Sequence, residues 1–491
     1  MPAFNRPSPD SFGFCFDHSY SKLPEALFSP QQPKAFKNAS LVIFNHQLAQ
    51  TLGLNIDAFE DVAGEVLSGR LLSENAWPIA QAYAGNQFGH FARLGDGRAI
   101  LLGEHVLSDK QRVDIQLKGA GPTPYSRSGD GLAALAPMLR EYLMSEAMHA
   151  LGVPTTRSLS VVLTGEVVYR SEPLSGAVLA RVAASHIRVG TFQYAAAINS
   201  PQVLKALADY TIARHFPEIK QQANQYLALL EAVIDKQASL IAQWMQLGFI
   251  HGVMNTDNMS IPGETIDYGP CAFMNAYSPK TVFSSIDQQG RYAFGNQPMI
   301  GEWNLTRFAE SLLSLIDEDQ DEAIRLASEC LDQYQNKFRC DWLKGMRQKL
   351  GLFNAEAEDL SLVEDLLMLM YKHQADYTNT FRHLNQPAKL ITPLSGDGGF
   401  KNWVTQWHAR LSRQPQSEEQ VIALMNAHNP VLIPRNHLVE EALEFASKGD
   451  MQPFHDFLEA LARPYAEPTN KKYLVAPDAS YDKSYQTFCG T

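Results

Sequence analysis

The sequence predicts an α+β fold in two lobes, a small β-rich lobe followed by a larger helical one, and three observations carry that reading. Between Ala82 and Gly119 the chain breaks into short apolar runs punctuated by glycine. From Leu135 to Gly152 apolar residues recur at helical spacing, and two more strand-like runs follow. Beyond Pro201 the texture becomes mostly helical. Strands gathered around one helix, with helices filling the remainder, is an α+β layout.

In chain order, residues 1–75 mix Pro-rich segments with the amphipathic stretch SLVIFNHQLAQTLG and read as a packed N-terminal extension. The small lobe is expected over 76–195. Within it, FGHFARL and AILLGEHV flank Gly95-Asp96-Gly97-Arg98, which reads as a hairpin turn between two strands. The run from Val113 to Lys118 alternates with period two and supplies a third strand. A Gly/Pro/Ser loop leads into LAPMLREYLMSEAMHALG, with Leu139, Leu143 and Ala147 on one helical face and Gly152 as the stop. SLSVVLTGEVVYR and GAVLARVA read as further strands. The helical lobe is expected over 196–410. Its segment NQYLALLEAVIDKQASLIAQWMQLG sets Leu230, Val233, Leu240, Ile241 and Trp244 on one broad face, with Gly248 as the cap. That helix runs directly into Phe249-Ile250-His251-Gly252. Residues 411–491 read as a C-terminal helical extension with a polar, Tyr-rich tail. The sum is a protein-kinase-like bilobal fold with N- and C-terminal extensions.

The chain has 491 residues, 45% hydrophobic and 19% charged, enough to bury a large core and too apolar for disorder. Acidic residues outnumber basic ones, 53 to 41, for a formal charge of −12. That balance argues against a nucleic-acid partner, which calls for concentrated Lys and Arg, but leaves room for a local polyphosphate site. MPAFNRPSPDSFGFCFDHSY has no apolar run of the kind a secretory signal needs. No stretch of eighteen apolar residues occurs, so no membrane partner is expected. Cys15, Cys271, Cys330, Cys340 and Cys489 are scattered without zinc-ligand spacing, which fits a reducing compartment. A cytoplasmic protein is the expectation.

Candidate chemistry gathers at a few positions. Gly85, Gly89, Gly95 and Gly97 either satisfy tight turns or let the backbone approach a triphosphate, with Arg98 adding positive potential. Lys118 ends a strand and Glu141 lies on the next helix. In a kinase-like lobe such a lysine contacts nucleotide phosphates and is held by the glutamate; otherwise it reaches solvent from the strand end. Asp130-Gly131 is either a turn or a nucleotide contact. Arg181 and Arg188 stand seven apart, on opposite faces of a strand but near one face of a helix. They read either as surface residues or as guanidinium forks for phosphate.

The order of residues 251–269 is the most informative feature. A kinase catalytic loop reads H-x-D-x-x-x-x-N and is followed by D-F-G. Here His251 and Asn258 fill the first and last positions, and Asp267-Tyr268-Gly269 stands where D-F-G belongs. Asn258 and Asp267 would supply hard oxygen ligands for Mg²⁺ or Mn²⁺ bridging the phosphates of ATP. The aspartate slot holds Val253, which cannot accept a proton. Asp257 is the only carboxylate in the loop able to replace it.

The strings YAGNQFG, RLGDGRAILLGE, DIQLKGAGPTPYSRSGDGLAAL, LREYLMSEAMHALGVPTTRSL, VLARVAASHIRVGTF and FIHGVMNTDNMSI…DYGPCAFM resemble the selenoprotein O (YdiU) family of pseudokinase-fold protein nucleotidyltransferases. EWNLTRFAESLL, DYTNTFR and NPVLIPRN continue the likeness over most of the chain. The resemblance implies that ATP binds in a flipped orientation and that AMP passes to protein Ser, Thr or Tyr hydroxyls; a uridylyl variant is also attributed to some members. It further implies that Gly95, Gly97, Arg98, Lys118, Asp130, Gly131, Arg181 and Arg188 hold the nucleotide. Asn258 and Asp267 would hold the metal, Asp257 would accept the proton and Glu141 would position Lys118. Family members also pair a near-terminal cysteine or selenocysteine with a cysteine after the D-F-G-like motif, which here would be Cys489 with Cys271. The tail SYDKSYQTFCGT otherwise departs from the family pattern. Two other readings stand beside this one: a kinase for a protein or small molecule, and a non-catalytic ATP-binding scaffold sensitive to redox state.

Overall fold

The computed structural model of the chain describes residues 12–59, 61–386 and 394–488. Its centre is an antiparallel sheet of nine strands. The main path runs Phe28–Pro30, Ile79–Gln81, Ala99–Val106, Arg112–Lys118, Pro173–Ala183, Arg157–Tyr169 and Ser40–Phe44. Phe16–Asp17 and Ala133–Ala134 pair beside it. The period-two run after Arg112 is a strand buried on both faces. Ile115 and Leu117 pack into a cluster with Leu48, Val66 and Leu67, while Gln116 and Lys118 are buried polar residues of the same strand. Helix Leu135–Ala150 packs on the strands Arg157–Tyr169 and Pro173–Ala183 and brings Glu141 to Lys118.

The expected 1–75 extension supplies the strands at both ends of that path, Phe28–Pro30 and Ser40–Phe44, and so forms part of the small lobe's sheet. The glycine-rich segment at 95–98 differs from the expected hairpin. His90–Arg93 pairs with Ala84–Gln87 in a separate two-stranded ribbon, whereas Ala99–Val106 joins the main sheet beside Arg112–Lys118. The amides of Leu94 and Asp96 donate to Tyr83 O and Gln81 O at 2.9 Å each, so the glycine segment is a crossing between two sheets.

In the larger lobe, helix Gln225–Leu247 is capped at its start by the Asn224 side chain and stopped by Gly248 in a left-handed conformation (φ +74). The next residues, Phe249–Ile250, pair with Ala272–Phe273. This short ladder closes the loop 251–271 at its base. The boundaries expected at 195/196 and 410/411 fall inside helices Val189–Ala197 and Gly398–Leu411. Among the described residues, no helix is long and apolar enough to cross a membrane.

Candidate active site

Three cations converge on one carboxylate. Lys118 Nζ donates to Glu141 Oε2 at 2.6 Å and to Asp267 Oδ1 at 2.8 Å. Arg181 Nη1 donates to the same Asp267 oxygen at 2.7 Å and to Glu141 Oε1 at 3.2 Å. Arg188 Nη1 takes the other oxygen, Asp267 Oδ2, at 2.8 Å, and also donates to the backbone carbonyl of Asp257 at 2.8 Å. Burial would push the Asp267 carboxyl up, but the charges of Lys118, Arg181 and Arg188 outweigh it and hold the group well below the usual carboxylate range. These contacts also keep Asp267 at φ +62, a conformation that non-glycine residues adopt only when their surroundings impose it.

Each cation reaches the cluster through local structure. Arg181 lies directly across the ladder from Gln116, two residues before Lys118, so the two strands present their polar residues together. Arg188 is the N-cap of helix Val189–Ala197. Ile261 N donates to Ile187 O and Val189 N to Met259 O, both at 2.9 Å, which fixes this arginine against the 251–271 loop. The reading of Arg181 and Arg188 as surface residues is overturned: they are 1% and 3% exposed.

The cluster forms one wall of a cleft of about 500 Å³ between the lobes, within the usual size of a ligand site. Gly95, Gly97, Arg98, Lys118, Asp130, Gly131, Arg181, Arg188, Asp257, Asn258 and Asp267 all line it. Glu141 supports Lys118 from behind. Asp130 is held by Arg170 at 2.8 Å. Gly95 has φ +140, and a Cβ there would lie 2.4 Å from the Tyr125 ring, so only glycine lets the chain pass.

The donor set suits a hard cation. Asn258 Nδ2 donates to Val253 O at 3.0 Å, so the ligand atom left to this side chain is its carbonyl oxygen. With Asp267 that makes one amide oxygen and one carboxylate. Among the described residues no group of three His, Cys, Asp or Glu gathers as a metal site. Mg²⁺ commonly takes one or two protein oxygens and completes its shell with water and substrate phosphates.

Asp257 is buried, and its Oδ1 has no hydrogen-bond partner. Burial is the main cause that pushes its carboxyl up to about 6, against the pull of Arg188. Gly85 leaves room for it: a Cβ at residue 85 would come within 2.1 Å of Asp257 Oδ1. Gly85→Ala is therefore expected to displace this carboxylate and slow any chemistry that depends on it about 10-fold or more. Unchanged turnover with an unchanged melting temperature would contradict that.

Sequence reasoning missed Tyr83, Asp96 and Arg170, which line the cleft, and Gln116, which accepts from Arg181 behind it. Asp96 lies between two glycines already singled out, and Gln116 shares the face of Lys118 by strand alternation; those positions were the available signals. Tyr83 packs its ring 4.5 Å from the Arg188 guanidinium, a cation–π contact that no local pattern announces.

Residues 13–462 match the family described as "Protein adenylyltransferase SelO". The protein nucleotidyltransferase YdiU of Brevibacillus brevis is 57% identical over 98% of this chain and 98% of that protein. Its counterpart in Halalkalibacterium halodurans is 57% identical over 99% of each chain. The counterpart in Geobacillus kaustophilus is 56% identical over 98% of this chain and 99% of that one. Among solved structures, ROP2 from Toxoplasma gondii, described as a virulence factor with a protein-kinase fold and no enzymatic activity, aligns with 68% of this chain and 88% of its own. That alignment is 12% identical with a TM-score of 0.25, too slight a likeness to carry an argument. With near-complete coverage at more than half identity, and a lysine, a glutamate and a D-F-G-like aspartate meeting in a cleft between two lobes, this chain belongs to the SelO family.

Proposed function

We propose that the chain transfers AMP from ATP to Ser, Thr or Tyr hydroxyls of proteins and releases pyrophosphate, with UMP transfer as a variant of the same reaction. The observation that carries this reading is the burial of Lys118, Arg181 and Arg188 together at 7%, 1% and 3% exposure. Three desolvated cations suit the β- and γ-phosphates, which leave together when the α-phosphorus is attacked, and they stabilise the charge that develops there. Asp257 takes the hydroxyl proton, Glu141 holds Lys118 in place, and Gly95, Gly97 and Gly131 let the chain approach the nucleotide closely. Mg²⁺ or Mn²⁺ held by Asn258 and Asp267 would neutralise phosphate charge when bound. Phosphoryl transfer is the less favoured reading, because the slot for a kinase base holds the buried side chain of Val253. ATP labelled at the α- or the γ-phosphate tests this directly. Label is expected in protein from the α-position only. Incorporation from the γ-position would make the chain a kinase, and none from either would make it a nucleotide-binding scaffold.

A thiol switch belongs to the same reading. Cys489 lies outside the described residues; two residues before it, Thr487 Oγ1 donates to the carbonyl of Pro270, the residue preceding Cys271, at 2.7 Å. Mild oxidation is expected to join Cys271 to Cys489 and lower transfer, with dithiothreitol restoring it. Peptide mapping without reductant checks it: equal alkylation of both thiols before and after oxidation would refute the switch.

A further inference from the structure

Asp267 is the shared anion of the cluster, yet it is also the carboxylate expected to turn to a cation accompanying the substrate. Something else must then keep Arg181 and Arg188 aimed at the phosphates. Besides the contacts of Arg181 to Glu141 and of Arg188 to the Asp257 carbonyl, each guanidinium has a further polar contact on its Nη2, and those two lead to one residue. Arg181 Nη2 donates to Gln116 Oε1 at 2.6 Å, and Gln116 Nε2 donates to Asp96 Oδ2 at 3.1 Å. Arg188 Nη2 lies 4.0 Å from the other oxygen, Asp96 Oδ1. Asp96 is 2% exposed and its Oδ2 also accepts from Gln81 N at 3.1 Å, so it is anchored to a strand rather than free to swing.

The chemistry of the relay admits few substitutes. An arginine only donates and a carboxylate only accepts, so the amide between them must present its oxygen to one and its nitrogen to the other. Gln116 does both, and its orientation is thereby fixed. Glutamate at this position would set a second carboxylate against Asp96, and leucine would break the chain of contacts. Residue 116 faces Arg181 across the ladder, so the relay follows from strand register.

Resting on the proposed nucleotide chemistry, we propose that Asp96 is a positioning residue: through Gln116 to Arg181, and directly to Arg188, it holds both arginines in place for the triphosphate once Asp267 is engaged elsewhere. Gln116 lies outside the lining of the cleft and Asp96 within it, and both act on the arginines proposed to meet the phosphates.

Asp96→Asn, Gln116→Met and the double variant test this in the full-length protein. Calorimetry of ATP binding, with and without Mg²⁺, is read beside KM, kcat and the thermal midpoint. Asp96→Asn keeps the shape but removes the charge; Gln116→Met keeps the length but removes the relay. Each single variant should weaken ATP binding and raise KM by roughly 10–100-fold, the usual cost of losing a supporting partner. In each, kcat at saturating ATP should stay within about threefold of the unaltered protein, because the groups that do chemistry remain. The double variant should bind no more weakly than Asp96→Asn alone, since Gln116 works through Asp96. Wild-type affinity in both singles, multiplying effects in the double, or affinity losses that simply track a falling thermal midpoint would each overturn the proposal. If Asp96→Asn does not fold, Gln116→Met decides alone by the same readings. Binding is read whichever phosphate is transferred, so γ-label transfer in place of AMP transfer would defeat the proposed function and leave this inference standing.

Discussion

Replacing Asp267 by alanine is expected to reduce transfer by on the order of 10³-fold or more, because one substitution removes two things. It deletes the carboxylate proposed to bind the cation, and it strips Lys118, Arg181 and Arg188 of the anion they share. Removing one side of a buried ion pair commonly costs about 3–5 kcal/mol, so the thermal midpoint should fall as well. Glu141 still offsets part of the charge through Lys118 and Arg181. Asp267→Asn separates the two effects. It keeps the shape and the hydrogen-bonding capacity of one oxygen, so its loss of stability should be smaller while transfer stays as strongly reduced. Turnover near the unaltered rate at saturating Mg²⁺ or Mn²⁺ would remove Asp267 from the mechanism.

Asp257→Ala should behave differently, with ATP affinity retained and turnover reduced by roughly 10²–10⁴-fold, the usual contribution of a positioned general base. The side chain makes none of the ion pairs that organise the cleft; the contact from residue 257 to Arg188 comes from its backbone carbonyl, which alanine preserves. Calorimetry with ATP and a turnover assay on the same preparation distinguish binding from proton transfer. Full activity in Asp257→Ala would mean that the acceptor hydroxyl loses its proton elsewhere.

Much of this site is legible in the sequence itself. The period-two strand ending at Lys118, the helix carrying Glu141 and the order of His251, Asn258 and Asp267 each rest on local patterns, and the structure brings those elements together. Arg181 and Arg188 are different. The six residues between them cross from the strand Pro173–Ala183 to the cap of helix Val189–Ala197, so neither the strand period nor the helix period holds across the gap. Their convergence on Asp267 is a tertiary result. The glycine segment at 95–98 misleads for a related reason: turn residues announce a change of direction but not the partner strand, and here the partners are Gln81 and Tyr83. The strands of the first 75 residues are two to five residues long, too short for alternation to declare itself.

Those short strands bear on how far the chain can be trimmed. Both ends of the main sheet path, Phe28–Pro30 and Ser40–Phe44, are built from residues that leave the ribosome before any strand they flank. A polypeptide begun at residue 76 would retain every group proposed for catalysis, yet it would present the unpaired backbone of Ile79–Gln81 on one side and of Arg157–Tyr169 on the other. Raw edges of that kind recruit other chains. The apolar surface now covered by Leu48, Val66 and Leu67 would be bared with them. The smallest unit with both edges of the sheet covered is therefore set by the need to flank the sheet, and it begins well before the first residue that touches the cleft.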